Sequence, residues 1–276
     1  MTSRQAEQIQ RIPVLLGIPF DANSSYLRGA AGAPPLIREA FHCDSSNSST
    51  ESGIELGPEV VLDAGDMALP ADGVFRAIEG AVSELVDKGQ NPVCLGGDHS
   101  ITYPILRAVA KRNSDLTLVH FDAHPDLYEE FQGNRYSHAC PFARIMEKGL
   151  AKRLIQVGIR TMNEHQRKQA ARFGVEVVEM QNVPALDTLK LRGPVYVSFD
   201  IDVLDPAFAP GISHREPGGM SVREAVAHLH AITGDIVGAD IVEYNPKQDV
   251  SQLTAMVCAK ILKEILGKMI AGRRAH

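Results

Sequence analysis

Leu116-Thr117-Leu118-Val119-His120-Phe121 runs directly into Asp122-Ala123-His124-Pro125-Asp126. The first six residues are almost continuously apolar and rich in β-branched types. Strands buried on both faces of a parallel sheet read this way, whereas half-exposed strands alternate. With this run counted as 115–121, similar runs occupy 12–18, 60–64, 92–96, 153–159, 174–180, 194–200 and 235–243. Amphipathic stretches at 34–41, 73–88, 100–112, 139–148, 163–173, 221–232 and 250–270 predict helices between and after them. Repeated strand–helix units predict one doubly wound α/β domain over residues 1–276, with no linker and no internal repeat. Two stretches break the pattern. Cys43 to Gly57 is Ser-rich and reads as a surface loop near a site mouth, and Leu204 to Gly219 is a Pro- and Gly-rich loop.

Composition narrows the function. Hydrophobic residues make up 44% and charged residues 22% of 276, which suits a globular protein with a large core. The net charge of −6 lacks the basic face that nucleic-acid binding needs. It suits a small cationic substrate better. No stretch reaches the 18 or so apolar residues of a membrane span. The four cysteines, Cys43, Cys94, Cys140 and Cys258, form no CxxC pair and read as free thiols of a reducing, cytoplasmic compartment.

Three polar clusters follow three of the apolar runs: Gly96-Gly97-Asp98-His99-Ser100, Asp122 to Asp126, and Asp200-Ile201-Asp202. In an open parallel sheet, ligands bind beyond the carboxyl ends of the strands. Alternate residues of a chain leaving a strand share one side, which groups Asp122, His124 and Asp126, and likewise Asp200 and Asp202. A single Asp after a strand is commonly a turn or helix cap, and Asp98 is read that way, as a partner of the His99 turn. Three such clusters together are an expensive concentration of carboxylate unless cations neutralise it. Four carboxylates and two imidazoles, with no thiolate, predict two divalent cations sharing a hydroxide, Mn²⁺ in preference to Zn²⁺. Glu243 ends the run 235–243 and can receive a planar guanidinium through paired N–H bonds.

GGDHS, DAHPD, SFDIDVLDPAFAPG (198–211) and DIVEYNP (240–246) resemble the signature stretches of the ureohydrolases, the family of arginases and agmatinases. The resemblance spans essentially the whole chain. Asn23-Ser24-Ser25, NRYSHACPFARIME (134–147) and SHREPGG (213–219) are most similar to plant-type arginases. The resemblance implies a three-layer αβα sandwich on an eight-stranded parallel sheet, assembled as homo-oligomeric trimers or hexamers. It implies two Mn²⁺ per chain, one held by His99, Asp122, Asp126 and Asp200. The other would be held by His124, Asp122, Asp200 and Asp202.

Carried over residue by residue, Glu243 would clamp the guanidinium, and His138 would shuttle protons and protonate the leaving amine. At the level of the residues alone, a surface ion pair for Glu243 and a capping or core role for His138 stay open. Asn134, Tyr136 and Ser137 would meet the distal carboxylate. Asn163 stands where many arginases keep an acidic holder for the α-ammonium. His120 and His165 read as structural, and His214 as a residue of the site mouth. The implied reaction is hydrolysis of a guanidino compound, L-arginine first and agmatine or a related compound second, to urea and an amine. A zinc deacetylase of related fold would keep one metal site, and a non-catalytic relative would have lost a ligand. Neither departure is present.

Overall fold

Eight strands form where the apolar runs predict them: β1 (Pro13–Gly17), β2 (Leu62–Asp66), β3 (Asn91–Leu95), β4 (Thr117–Phe121), β5 (Arg153–Ile159), β6 (Glu176–Glu179), β7 (Pro194–Asp200) and β8 (Asp235–Val242). The seven α-helices are α1 (Ala33–Phe41), α2 (Val74–Asp87), α3 (Thr102–Val109), α4 (Pro141–Glu147), α5 (Glu164–Phe173), α6 (Val222–Ala231) and α7 (Leu253–Arg274) among the described residues. This computed structural model describes residues 11–185 and 191–274. Residues 1–10, 186–190 and 275–276 of the expected domain lie outside the described residues.

All eight strands join one sheet in the order β2-β1-β3-β8-β7-β4-β5-β6, and every pairing is parallel. Alternation within each strand divides the core. Leu15, Leu95, Val119 and Phe121 pack beneath α1, α6 and α7. Val14, Leu16, Cys94 and Leu118 pack beneath α2, α3 and α4, with Ala170 of α5. The sheet is therefore the middle of three layers, as expected.

Local chemistry sets the helix starts. Asn163 and Ser221 each close a capping box, with Gln166 and Glu224 respectively. The expected helix 100–112 exceeds α3 proper by two residues at its start and three at its end, because short 3-10 turns at His99–Ile101 and Ala110–Arg112 flank it. The second strand begins at Leu62, not at residue 60. Val60 and Val61 instead donate to the Gly57 carbonyl in a turn and pack on the core. The polar edge strand LDAGD follows them.

The Ser-rich loop is also relocated. Lys263 donates to Ser46 Oγ and to the Asn47 carbonyl, and Glu51 pairs with Lys260 at 2.8 Å. The loop is pinned on α7, and none of its residues lines the cavity described below.

One close approach anchors the site end of the sheet. The Asp98 amide donates to the Phe20 carbonyl and Glu243 N–H to the Gly97 carbonyl, at 2.8 and 2.9 Å. A Cβ on Gly97 would stand 1.8 Å from the Phe20 carbonyl oxygen. Gly97→Ala should therefore cost about 2–3 kcal/mol through backbone overlap, lowering the melting temperature by roughly 5–10 °C. Gly80→Ala is the control: Gly80 lies inside α2 with nothing within 4 Å of a Cβ, so helix propensity should make that change stabilising by up to about 1 kcal/mol. Thermal melts of the two variants with equal midpoints would refute the close-packing account.

Candidate metal centre

The four central strands, β3, β8, β7 and β4, are neighbours in the sheet. Leu95 pairs with Ile241, Ile241 with Phe199 and Phe199 with Phe121. Their chains consequently leave the sheet side by side, β3 into His99, β8 into Glu243, β7 through Asp200 into Asp202, and β4 into Asp122, His124 and Asp126. Asp residues close the local turns. Asp98 accepts from Ser100 N at 3.1 Å, Asp200 from Asp202 N at 2.8 Å and Asp122 from His124 N at 2.5 Å. Asp122 and Asp200 realise both readings, closing a turn and facing the cluster, whereas the second oxygen of Asp98 accepts from the Asn23 amide at 2.9 Å, in keeping with a turn residue. Asp126 and Glu243 adopt positive φ, 49° and 65°, a backbone strain that concentrates at functional sites.

The six expected ligands converge. His99 Nδ1 lies 3.2 Å from Asp122 Oδ2, 3.2 Å from Asp126 Oδ2 and 3.1 Å from Asp200 Oδ2. His124 Nδ1 lies 3.3 Å from Asp122 Oδ1 and 3.0 Å from Asp202 Oδ2. Asp122 thus turns one oxygen to each histidine. On the other side of the His99 ring, Nε2 donates to Ser198 Oγ at 3.0 Å, and that hydroxyl donates to Asp240 Oδ1 at 2.7 Å. In the neutral ring this leaves a lone pair on His99 Nδ1, a buried atom with no hydrogen-bond partner. Three carboxylate oxygens and an orphaned imidazole nitrogen around one point are a donor set that fits a hard cation. Asp122, His124 and Asp202 make a second such group.

The electrostatics agree. Burial first, and then the neighbouring Asp202 and Asp122 carboxylates, push the Asp200 carboxyl well above its usual range. Burial opposes a charge on His99, yet Asp122, Asp126 and Asp200 hold its ring well above the usual histidine value. The site draws positive charge.

A cavity of about 180 Å³ opens on these residues. His124, Asp126, Asp200 and Asp202 line it together with His138, Glu243 and His214. His138 Nδ1 lies 2.8 Å from Glu243 Oε1, and Glu243 also accepts from the His99 amide at 2.8 Å. Burial works to raise the Glu243 carboxyl, but the His138 charge and these hydrogen bonds hold it below the carboxylate range. Burial likewise opposes protonation of His138, and Glu243 outweighs it, raising the ring to about 9. At His138 Nε2, the Ser25 amide stands at 3.1 Å and Ser25 Oγ at 2.8 Å. The amide can only donate, to the neutral ring, while the hydroxyl can accept from the protonated one. Both protonation states therefore have a partner. His214, lowered by burial and then by the His138 charge, sits 5.2 Å from the His138 ring and 5.8 Å from the His124 ring.

The distal part of the expected site needs correction. Asn134, Tyr136, Ser137 and Asn163 are not on the cavity wall. Asn134 accepts from Tyr136 N and donates to Asn23 Oδ1. Tyr136 is half exposed and stacks on Tyr103, and Ser137 Oγ accepts from Ala139 N. Asn163 caps α5 and donates to Tyr128 Oη at 2.5 Å. The wall is formed instead by Ser25, Tyr128, Phe131, Thr161 and Gln166. Of these, the sequence offered a signal only for Ser25, in the Asn-Ser-Ser stretch. Arg160 is a second omission: its guanidinium donates to the Asp202, Val203 and Glu216 carbonyls at 2.8, 3.1 and 2.7 Å, tying the Asp202 turn to the loop that carries His214.

Comparison with known proteins places these features in a family context. The arginase family model matches residues 12–267. Arginase 1, mitochondrial, of Arabidopsis thaliana is 49% identical over 275 residues, covering 92% of this chain and 80% of that protein. An agmatinase of Bacillus anthracis is 36% identical over 262 residues, covering 92% and 90%. The solved arginase from Medicago truncatula superposes with a TM-score of 0.90 at 44% identity, covering 96% of this chain and 90% of that one.

The His138–Glu243 pair generates a pH dependence in the metal-free protein. A histidine raised from 6.5 to about 9 on folding contributes stability that is complete below the unfolded value. That stability is lost as pH rises through the folded value. Chelated wild type should lose up to about 3 kcal/mol between pH 6.5 and 9, and His138→Asn should lose measurably less. Urea denaturation at a series of pH values tests this, and parallel curves for the two proteins would contradict it.

Proposed function

The chain belongs to the arginase family, and from that premise we propose that it hydrolyses the guanidino group of L-arginine to urea and ornithine. The observation that carries the proposal is the divided Asp122 carboxylate, one oxygen toward each histidine, beside a cavity into which His138 and Glu243 also open. In this reading one domain spans residues 1–276. His99, Asp122, Asp126 and Asp200 would hold one Mn²⁺, and His124, Asp122, Asp200 and Asp202 would hold the other. When bound, such a pair would supply water of lowered pKa beside the cavity.

The chain's own residues do the rest. Glu243, ionised by its contact with His138, receives the substrate's planar guanidinium through paired N–H bonds and fixes its orientation. His138 holds a proton on Nε2 against Ser25 Oγ, or gives it up and accepts from the Ser25 amide. It can therefore deliver a proton to the departing amine and recover one. The cavity wall of Tyr128, Phe131, Thr161, Gln166 and Ser25 carries no full charge and meets the substrate's distal end. Because Tyr128 Oη already accepts from Asn163, its O–H proton is free to donate to a carboxylate.

Agmatine is the second reading, supported by the Bacillus anthracis relative. A zinc deacetylase-like role would leave the second ligand group without purpose. All four cysteines are free, which supports a reducing compartment, the cytoplasm in our reading, although the Arabidopsis relative is named mitochondrial. No described helix is long and apolar enough to cross a membrane. A trimeric or hexameric assembly completes the reading, and light scattering can test it.

Two measurements decide the proposal. Wild type should hold two Mn²⁺ per chain. Asp202→Asn should weaken one of them, while Asp122→Asn, which keeps the turn but alters the bridge, should weaken both. Equal metal loss from the two variants would undo the assignment of bridging and terminal ligands.

For the substrate, leaving buried donors unpaired costs roughly 1–3 kcal/mol each. Agmatine, which lacks the carboxylate, should show kcat/KM about 10–100-fold below arginine in urea release. Tyr128→Phe should lower the arginine value about tenfold and leave agmatine nearly unchanged. Agmatine turnover equal to or above that of arginine would replace the arginase reading with agmatinase.

A further inference from the structure

Behind the candidate metal ligands, a row of polar side chains crosses the sheet. Gln156 on β5 pairs with His120 on β4, His120 with Ser198 on β7, and Ser198 with Asp240 on β8. All four are fully buried, so each needs a hydrogen-bond partner to offset its desolvation. Asp240 and Ser198 form one arm, which ends on His99 as described above. Gln156 and His120 form the other, and it ends on Asp122.

The second arm can be read proton by proton. Gln156 Nε2 lies 2.6 Å from the Pro125 carbonyl oxygen, and a carbonyl can only accept, so the amide must face it through nitrogen. The same nitrogen lies 3.0 Å from His120 Nδ1 and donates its second proton there. His120 Nδ1 therefore carries a lone pair, and the ring proton sits on Nε2, 2.7 Å from Asp122 Oδ2. Stacking on Phe142, with centroids 3.8 Å apart, holds the imidazole plane. Asp122 thus receives one donor on each oxygen, the His124 amide on Oδ1 and His120 Nε2–H on Oδ2. Each oxygen has one lone pair left, and the two face different histidines, His124 Nδ1 at 3.3 Å and His99 Nδ1 at 3.2 Å.

We propose that Gln156 and His120 are positioning residues that lock the Asp122 carboxylate in its two-sided orientation, so that the bridge exists before either cation arrives. This rests on the dinuclear reading above. His120 takes no part in the chemistry on substrate, since it is fully buried and absent from the cavity wall. In the structure His124 Nδ1 meets two carboxylates, those of Asp122 and Asp202, whereas His99 Nδ1 meets three. Loss of the lock should therefore weaken the cation at His124 more.

Mn²⁺ titration against a competing chelator, with electron paramagnetic resonance of the loaded protein, tests the inference. His120→Phe keeps the ring and its stack but removes the donor. Its second Mn²⁺ should bind about 10–100-fold more weakly, with loss of the spin-coupled signal. His120→Gln restores an N–H and should recover to within about threefold of wild type. Gln156→Met leaves the imidazole in place but frees its tautomer, and should weaken the second Mn²⁺ about 3–10-fold.

If His120→Phe and Gln156→Met both bind two Mn²⁺ within about twofold of wild type, with an unchanged spectrum, His120 merely fills the core and the inference falls. Should His120→Phe fail to fold by circular dichroism, Gln156→Met decides alone on the same criterion. If wild type itself binds fewer than two Mn²⁺, the dinuclear reading fails, and this inference with it.

Discussion

Concentrated negative charge at the ends of four adjacent strands is the constraint from which the other features of this site follow. Asp122, Asp126, Asp200 and Asp202 are buried within one cluster, where the effective desolvation penalty is several kcal/mol per ion. Such a cluster persists only on a scaffold whose stability lies elsewhere. The central strands supply it, since β3, β4, β7 and β8 are shielded on both faces by two separate apolar cores. The cluster also demands positive charge. The neighbouring carboxylates raise the His99 and His124 rings, favouring a proton there when no cation is bound, and His99 Nδ1 faces them with no hydrogen-bond partner.

Much of this was legible along the chain because it is local. A strand buried on both faces announces itself by an unbroken apolar run, and all eight runs became strands. The ligand spacing was legible for the same reason, since alternation past a strand end groups Asp122, His124 and Asp126 without knowledge of the tertiary fold. Where apolarity was the wrong guide, the reading slipped. At residues 60–66 the apolar pair Val60 and Val61 turns into the core, and the polar LDAGD that follows makes the edge strand. The Ser-rich loop was too polar to pack by its own composition, yet α7 supplies the charged partners that fix it.

What stayed hidden was non-local. His120 meets Gln156, 36 residues away, and His99 meets Ser198, 99 residues away; only sheet order creates these contacts. A trace of them was visible, because a histidine or glutamine inside a fully apolar strand must find a buried partner, but the partner's identity depends on which strand becomes the neighbour. The distal wall escaped for a related reason. Asn163 looked available to substrate, but a residue of that type immediately before a helix is first of all a cap, and Gln166 three positions on completes the box.

The two halves of the site are therefore built differently, and this bears on how such a fold can change substrate. The cation-binding half sits on strand ends, where Asp122, Asp200 and Asp202 each accept a backbone N–H while also facing the cluster. Substituting any of them disturbs backbone and charge together. The cavity wall sits in part on connecting segments, Tyr128 and Phe131 in one and Thr161 in another, with Gln166 in the first turn of α5. Substrate choice can consequently shift by exchange of a few wall residues while the hydrolytic half stays intact. The coexistence of arginases and agmatinases among the relatives, at similar coverage of this chain, is what that division of labour permits. The polar row beneath the strands completes it by keeping the orientation of His99 and Asp122 independent of whatever occupies the cavity above them.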